Sequence, residues 1–175
     1  MANQINAFRN YSDGTQNVIE GNTYNGIVQG LTFASGETEK YLLLEIPEGL
    51  TIQFLGQGLT LTPYDDTFQI RLLEGITTLT TGTPIIVRNM NRNFAGLEQA
   101  TWTTAPVGIY GGEGIIIEDF NPFERRRDYL RASKTVKDDV ERIFHADDKY
   151  LFKFTRTTDT NVLTIEYRFI WVENI

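Results

Sequence analysis

The sequence contains no cysteine and a single histidine, His145. Disulfides and thiolate metal sites are therefore excluded, and a hydroxyl nucleophile would have only one imidazole to act as its base. Serine is also scarce, at Ser12, Ser35 and Ser133, and no serine lies in the glycine pattern of a nucleophile elbow. No stretch reaches the roughly 18 apolar residues of a membrane helix, and the first six residues lack the basic and apolar regions of a secretory signal.

Positive charge is scarce in the first half of the chain. Up to residue 87 there are three basic residues against nine acidic ones, and from residue 88 onward there are 13 against 14, which gives a net charge of −7. This balance argues against non-specific DNA binding. The local exception is a basic cluster, which is either a loop balanced by Glu124 and Asp128 or a contact to an acidic partner. Its members are Arg125, Arg126, Arg127, Arg131, Lys134 and Lys137.

The remaining composition is that of a folded protein. Hydrophobic residues make up 41% and aromatic residues 12% of the 175 positions, and a chain of this length can bury about 70% of its unfolded surface. We predict one domain over residues 24–175. Residues 1–23 are polar apart from isolated apolar side chains, which predicts an arm that packs on a neighbour through Phe8 and Tyr11. The alternative for this segment is a frayed terminus.

Alternating apolar and polar residues predict strands along most of the chain. In the last of them, residues 162–172, five apolar side chains share one face. Gly56 and Gly58 predict a bulge or a bend in the strand that contains them. The clearest strands cover residues 40–46, 51–61, 67–74, 149–155 and 162–172. Turn signals recur about every ten residues, which is typical of an antiparallel sandwich or barrel.

Other segments are less regular. Short strands are predicted at residues 85–87 and 101–107, and Ile115–Ile117 is predicted to begin a buried strand. Asn89–Asn93 is predicted to form a structured turn, since asparagine bonds its own main chain. For residues 133–143 the alternatives are a short helix and a polar loop that leads into a strand, and we favour the loop with at most one or two helical turns.

Candidate catalytic groups are few. Three adjacent acidic pairs lie beside predicted turns, and adjacent side chains of an extended chain point apart, so solvated turns are favoured over a glycosidase or a calcium site. A hydrolase hypothesis rests only on His145 and these pairs, which are Asp65-Asp66, Asp138-Asp139 and Asp147-Asp148. Aromatic residues near turns, namely Tyr64, Trp102 and Tyr110, suggest instead a surface that binds carbohydrate. We predict no metal and no cofactor.

Five short motifs follow one another in a distinctive order. They are LLEG at 72–75, GTP at 82–84, an Asn-x-Asn-Arg loop at 89–92, KYLFKFT at 149–155 and a final Trp-Val-Glu at 171–173. In this order the chain resembles the capsid decoration or cement proteins of tailed bacteriophages. The resemblance covers roughly residues 40–175; residues 123–137 depart from it, and the arm lies outside it.

The resemblance implies an all-β fold, an antiparallel jelly-roll-like β-sandwich. It implies a structural virion protein on the outer capsid surface, bound to the major capsid protein as a homo-oligomer (dimer or trimer). It implies no enzymatic activity and no nucleic-acid or membrane partner. The alternative is a carbohydrate- or receptor-binding module of a phage tail spike or fibre. Aromatic residues and arginine often anchor interfaces, so the interface candidates are Phe8, Tyr11, Arg88, Arg92, Arg125, Arg126 and Arg127.

Overall fold

A computed structural model describes most of the chain. The described residues are 21–62, 68–76, 78–80, 82–91, 93, 99–104, 107–109, 114–120, 134–138, 142–157 and 162–174. None of them is helical, and their regular structure is entirely β-strand. The predicted arm therefore lies almost wholly outside the described residues.

Fourteen strands occur in the described part of the chain. They are β1 (Thr23–Phe33), β2 (Glu39–Ile46), β3 (Thr51–Thr62), β4 (Gln69–Glu74), β5 (Thr78–Thr80), β6 (Thr83–Pro84), β7 (Ile86–Asn89), β8 (Thr101–Thr104), β9 (Val107–Ile109), β10 (Ile115–Phe120), β11 (Lys134–Asp138), β12 (Arg142–Phe144), β13 (Asp148–Thr155) and β14 (Leu163–Asn174). The five strands with the clearest alternation in the sequence are all present.

Two six-stranded antiparallel sheets contain twelve of these strands. The first has the order β11-β3-β14-β1-β7, with β12 also paired to β3, and the second has the order β10-β4-β13-β2-β8-β6. The chain alternates between the sheets from β1 to β4 and again from β10 to β14, except that β11 and β12 are successive strands of the first sheet, both paired to β3. This nested antiparallel connectivity is that of a jelly roll, so the predicted fold class is confirmed.

The segment between β4 and β10 widens both sheets at one edge. Here β7 pairs with β1 in the first sheet, while β8 pairs with β2 and β6 with β8 in the second. The pair β5–β9 forms a separate small sheet. One edge of the sandwich therefore ends in β7 and β6, and the opposite edge ends in β10, β11 and β12.

Aromatic rings fill the space between the sheets. The apolar residues predicted to share one face of β14 are all buried there. Phe169 lies at the centre, with its ring centroid 4.3 Å from that of Trp102, 5.8 Å from that of Phe54 and 5.4 Å from that of Trp171. Such rings contribute both buried area and oriented ring contacts. A core of this kind needs no disulfide to hold the two sheets together.

Two local predictions have different outcomes. The bulge predicted near Gly56 is confirmed, since the register of β3 against β14 shifts between Phe54 and Gly56. The short helix considered within residues 133–143, and the loop favoured there, are wrong for Lys134–Asp138, which forms β11 against β3. The polar sequence is compatible with a strand because β11 lies at the edge of its sheet, where lysine and other charged residues are common.

Candidate interaction surface

The structure describes one of the seven predicted interface residues, Arg88. Its side chain is exposed on β7 and its backbone lies opposite Asn25 of β1. Phe8, Tyr11, Arg92, Arg125, Arg126 and Arg127 lie outside the described residues. Their roles remain predictions.

Arg88 has two exposed apolar neighbours. Ile86 and Met90 are 52% and 42% exposed. In a strand, residues two apart share a face, so Ile86 and Arg88 project together from β7, and Met90 follows at its end. We call Ile86, Arg88 and Met90 the Arg88 edge. Methionine and arginine are enriched where proteins bind one another, so this edge has the composition of an interface.

The asparagine-rich turn holds the end of the Arg88 edge in place. Asn89 donates its Nδ2 to the Gly21 carbonyl at 2.6 Å, and its Oδ1 accepts from the Asn91 amide at 2.8 Å. The Met90 amide donates to the Thr23 carbonyl at 2.9 Å. The predicted structured turn is confirmed in these described residues, with asparagine side chains bonding the main chain as expected.

The opposite edge of the sandwich also exposes apolar side chains. We predicted that Ile115–Ile117 begins a buried strand. The strand is present as β10, but the prediction of burial is wrong, because β10 lies at the edge of the second sheet and its first three residues are 69%, 51% and 44% exposed. Ile143 on neighbouring β12 is 60% exposed. We call Ile115, Ile116, Ile117 and Ile143 the isoleucine edge.

An ion pair joins the two sheets at the isoleucine edge. Arg142 of β12 donates to both carboxylate oxygens of Glu118 of β10, at 2.6 and 2.7 Å. A second arginine, Arg71 of β4, donates to Asp119 at 2.9 Å. Charged residues on an edge strand usually discourage pairing with other molecules. Here each carboxylate of β10 forms an ion pair with an arginine of the same molecule. The two carboxylates therefore repel another approaching molecule less than unpaired ones would.

A glycine fixes the start of β10 against β4. Gly114 has φ of +78°, and a Cβ atom at this position would lie 2.1 Å from the Glu74 carbonyl oxygen. Both the backbone conformation and the close approach therefore require glycine. The residue places Ile115 directly opposite Glu74 in the register of the two strands.

The second sheet also has a partly buried network on its outer face. Lys153 is only 6% exposed, and its Nζ lies 2.9 Å from Glu39. The Tyr41 hydroxyl also donates to Glu39. The Tyr41 hydrogen bond, followed by Lys153, lowers the pKa of Glu39 from its ordinary value of 4.5, although partial burial opposes the change. The ionised carboxylate is therefore favoured in the folded state.

This network predicts a pH-dependent contribution to stability. Because folding lowers the pKa of Glu39, the contribution is complete above pH 4.5 and is lost as the pH falls through the folded pKa. We expect Glu39→Gln to cost about 1 kcal/mol at pH 7, a small value because the carboxylate is partly exposed and screened by water. Urea unfolding should show that the difference in unfolding free energy between Glu39→Gln and the wild type becomes smaller towards pH 3. The assigned role of Glu39 is contradicted if this free-energy difference does not change with pH. It is also contradicted if the exposed control Glu48→Gln differs from the wild type by the same amount.

A shallow hollow of about 350 Å³ lies beside the turn that precedes β13. Its lining residues are Glu45, Ile46, Pro47, Gln99, Thr101, Asp147, Asp148 and Lys149. The Lys149 ammonium lies 2.7 Å from Glu45, and the Lys149 amide donates to Asp148 at 2.7 Å. Two of the three carboxylates thus have partners within the protein. Among the described residues, no three acidic or histidine side chains are placed to hold a metal ion.

The hydrolase and carbohydrate-binding hypotheses rest on a few residues, and those that the structure describes occupy structural positions. His145 is exposed in the turn between β12 and β13, and its amide donates to the Tyr150 hydroxyl at 3.1 Å. Burial raises the pKa of that hydroxyl.

Trp102, predicted to be an exposed ring, is only 2% exposed and packs on Phe169. Tyr64 and Tyr110 lie outside the described residues, and no described helix is long and apolar enough to span a membrane.

Besides Lys153, two further buried charges were missed in the sequence. Glu173 accepts hydrogen bonds from the amides of Gln99 and Ala100 and from the Trp171 indole, and Arg156 donates to the carbonyls of Glu37 and Ala34. Glu173 continues the two-residue alternation of the inward-facing residues of β14. The sequence pattern therefore indicates that this charged side chain points inward. Both residues tie loops to strand ends, so their roles are structural.

Comparison with known proteins gives little further information. No protein-family model and no curated protein matches the chain. Similar solved structures include the T13 viral particle of infectious bursal disease virus, with 14% identity over 87% of this chain and a TM-score of 0.19. A VP2 subviral particle of that virus has 13% identity over 85% of this chain and a TM-score of 0.12. The chain spans 39% of each viral chain. Similarity this low carries no conclusion about function.

Proposed function

We propose that the chain is a structural virion protein that binds the outer surface of a tailed-phage capsid and stabilises the assembled shell. The observation that carries the proposal is a filled jelly-roll sandwich whose exposed apolar side chains concentrate on its two edges. Jelly rolls are common in viral capsid proteins, and the motif order in the sequence favours the decoration proteins among them. Under this proposal the chain is not an enzyme and takes no cofactor.

The proposed stabilisation of the shell arises because the chain binds its assembled state and not the free subunits. A protein that binds assembled capsid but not free subunits stabilises the assembly by mass action. At a free concentration about one hundred times the Kd, each occupied site contributes about 2.7 kcal/mol. The major capsid protein is the proposed partner, and a homo-oligomer would occupy several sites at once. Linked sites raise the apparent affinity without new contacts.

Co-sedimentation with purified capsid shells tests this proposal. We expect the chain to pellet with expanded shells at a saturable ratio and to raise their melting temperature. Free capsid subunits should not bind it. The proposal is abandoned if the folded chain stays in the supernatant at all concentrations tested and the melting temperature of the shell does not change.

A second function is favoured by one observation, the acidic hollow beside β13. Carboxylates and amides bind the hydroxyl groups of sugars, and jelly rolls also occur in lectins. The chain would then be a carbohydrate- or receptor-binding module of a tail spike or fibre. Burial of Trp102 removes one of the three aromatic residues that motivated this alternative. Glycan-array binding that is lost in Asp147→Ala would favour it over capsid binding.

A further inference from the structure

We infer that residues 1–20 pack on the outer face of the first sheet within their own copy. The contact is internal to one chain and does not depend on the proposed function. The described part of the chain begins at Gly21, two residues before β1. Gly21 has a φ of +80°, a conformation that favours glycine, so the chain that precedes it leaves the line of β1 at this point.

Exposure falls along this face towards the end of the sheet where the described chain begins. The outward positions of β14 pass from exposed Arg168 through half-buried Ile170 to Val172, which is 1% exposed. On β1 they pass from half-buried Ile27 to Thr23, which is 2% exposed and lies opposite Val172. An uncovered sheet face leaves its side chains in contact with water, so atoms lie over this end. These exposures are those of a single chain, so the covering atoms belong to the same copy.

Two segments of several residues outside the described part of the chain adjoin this end of the sheet, residues 1–20 and residues 94–98. Residues 94–98 lead to Gln99, whose amide donates to the inward-pointing Glu173 at 3.0 Å. That segment therefore leads to the inner side of β14 and on to β8 of the second sheet. Residues 1–20 precede β1 directly, and they are the segment that can reach the outer side.

Two buried polar atoms on the same face have no hydrogen-bond partner among the described residues. They are the Thr23 hydroxyl and the side-chain oxygen of Asn25, which lies two residues further along β1. Buried polar groups are almost always hydrogen-bonded, so the covering layer has to supply donors. A peptide rich in amide groups does so. Residues 1–20 contain six amide side chains, at Asn3, Gln4, Asn6, Asn10, Gln16 and Asn17.

The segment also carries apolar side chains within reach of the face. Ile19 lies four residues before Thr23, so their Cα atoms are at most about 14 Å apart. Val172 lies opposite Thr23 at about 5 Å, which places it within reach of Ile19. Twenty extended residues span about 70 Å, whereas five strands are about 20 Å wide. The segment is therefore long enough to place Phe8 and Tyr11 on the same face.

The face has room for a second backbone beside the covered end. Gly56 and Gly58 of β3 lie opposite the outward residues Ile170 and Arg168 of β14. These two positions of β3 therefore present no side chain next to apolar Ile170. Glycine inside a strand often marks a place where another backbone approaches closely, and an extended segment fits this requirement.

Thiol labelling tests the contact, because the chain has no cysteine and an introduced one is the only thiol. We expect Val172→Cys to react with a maleimide about 100-fold more slowly than Arg168→Cys on the same face, because the covering segment must first open. The arm variant, Val18→Asp with Ile19→Asp, should raise the rate at Val172→Cys about tenfold or more, since it places charges in an apolar contact. The rate at Arg168→Cys should not change.

Two controls separate release of the segment from loss of stability. Val162→Asp introduces the same charge at an exposed residue before the opposite end of β14 and should leave the rate at Val172→Cys unchanged. Ile165→Cys faces the core and should stay protected in the arm variant. An equal increase at Ile165→Cys and Val172→Cys would show that the whole fold opens, and would overturn the assigned contact. Circular dichroism establishes that each variant is folded.

Mixing establishes which copy provides the segment. Excess wild type, which has no thiol, should not restore protection of Val172→Cys in the arm variant, because each copy covers itself. Restored protection would show that the segment packs on a neighbouring copy and would overturn the inference. An unchanged rate in the arm variant would also overturn it. So would an increase caused by Phe94→Asp and not by the arm variant, which would assign the cover to residues 94–98.

Discussion

Replacing Glu173 by alanine is expected to lower the free energy of unfolding by about 3 kcal/mol. The carboxylate is only 4% exposed and accepts hydrogen bonds from the Gln99 amide at 3.0 Å, the Ala100 amide at 3.2 Å and the Trp171 indole at 3.2 Å. Hydrogen bonds to a charged group contribute about 1.5–3 kcal/mol each, and unpartnered buried donors carry a further cost. Water entering the vacated space would offset part of the loss. Urea unfolding at pH 7 measures the change.

Two variants on the same strand serve as controls. Glu173→Gln keeps one acceptor oxygen and should lose about half as much stability as the alanine variant. Glu166→Ala removes a carboxylate on the opposite face of β14, where it pairs with exposed Arg168, and should cost less than about 0.5 kcal/mol. Equal losses for Glu173→Ala and Glu166→Ala would show that the buried carboxylate does not hold the segment before β8.

Gly26→Ala is expected to cost about 2–3 kcal/mol, although it adds a single methyl group. An added Cβ atom would lie 2.5 Å from two atoms of the Phe169 ring and 3.0 Å from the Trp171 ring. The Phe169 ring cannot move away easily, because Trp102 and Phe54 pack against it. Overpacking of a filled core forces strain on either the rings or the two strands. Thermal and urea unfolding measure the loss.

A double-mutant cycle identifies the cause of that loss. Phe169→Leu alone should destabilise the protein by creating space, and Gly26→Ala should occupy part of that space. The combined variant should therefore lose at least about 1 kcal/mol less than the sum of the single losses. Strictly additive losses would place the strain elsewhere than at the contact between these two residues.

Regular alternation made the central strands predictable. Along β14 one face is buried in the core and most of the other is not, so a two-residue period in the sequence fixes which side chains point inward. The jelly-roll order itself came from the motif resemblance, and strand pairing confirms it. The alternation contains no information on which strands are neighbours, because pairing joins residues far apart in the chain.

The edge strands were predicted poorly for a related reason. An apolar run such as Ile115–Ile117 is typical of a buried strand, and nothing local indicates that β10 ends its sheet. The opposite error occurred at β11, where a polar sequence was compatible with a loop but completes the edge beside β3. Burial depends on the neighbours that a strand has, and the sequence pattern does not specify them.

The candidate surface could be predicted only in part. Arg88 was selected for its residue type, and the structure describes it as exposed, but its two apolar neighbours were not recognised because Ile86 was assigned to a short apolar strand. Trp102 was misassigned to the surface because it lies near turns, whereas β8 places it in the core. The ion pair between Arg142 and Glu118 joins two sheets and has no signal in the local sequence.

Cryo-electron microscopy of purified virions that contain this chain tests the central claim most directly. The account predicts jelly-roll density on the outer surface of the capsid, with many copies per particle. Particles that lack the chain altogether, or that carry it only at the tip of a tail fibre, would contradict the account.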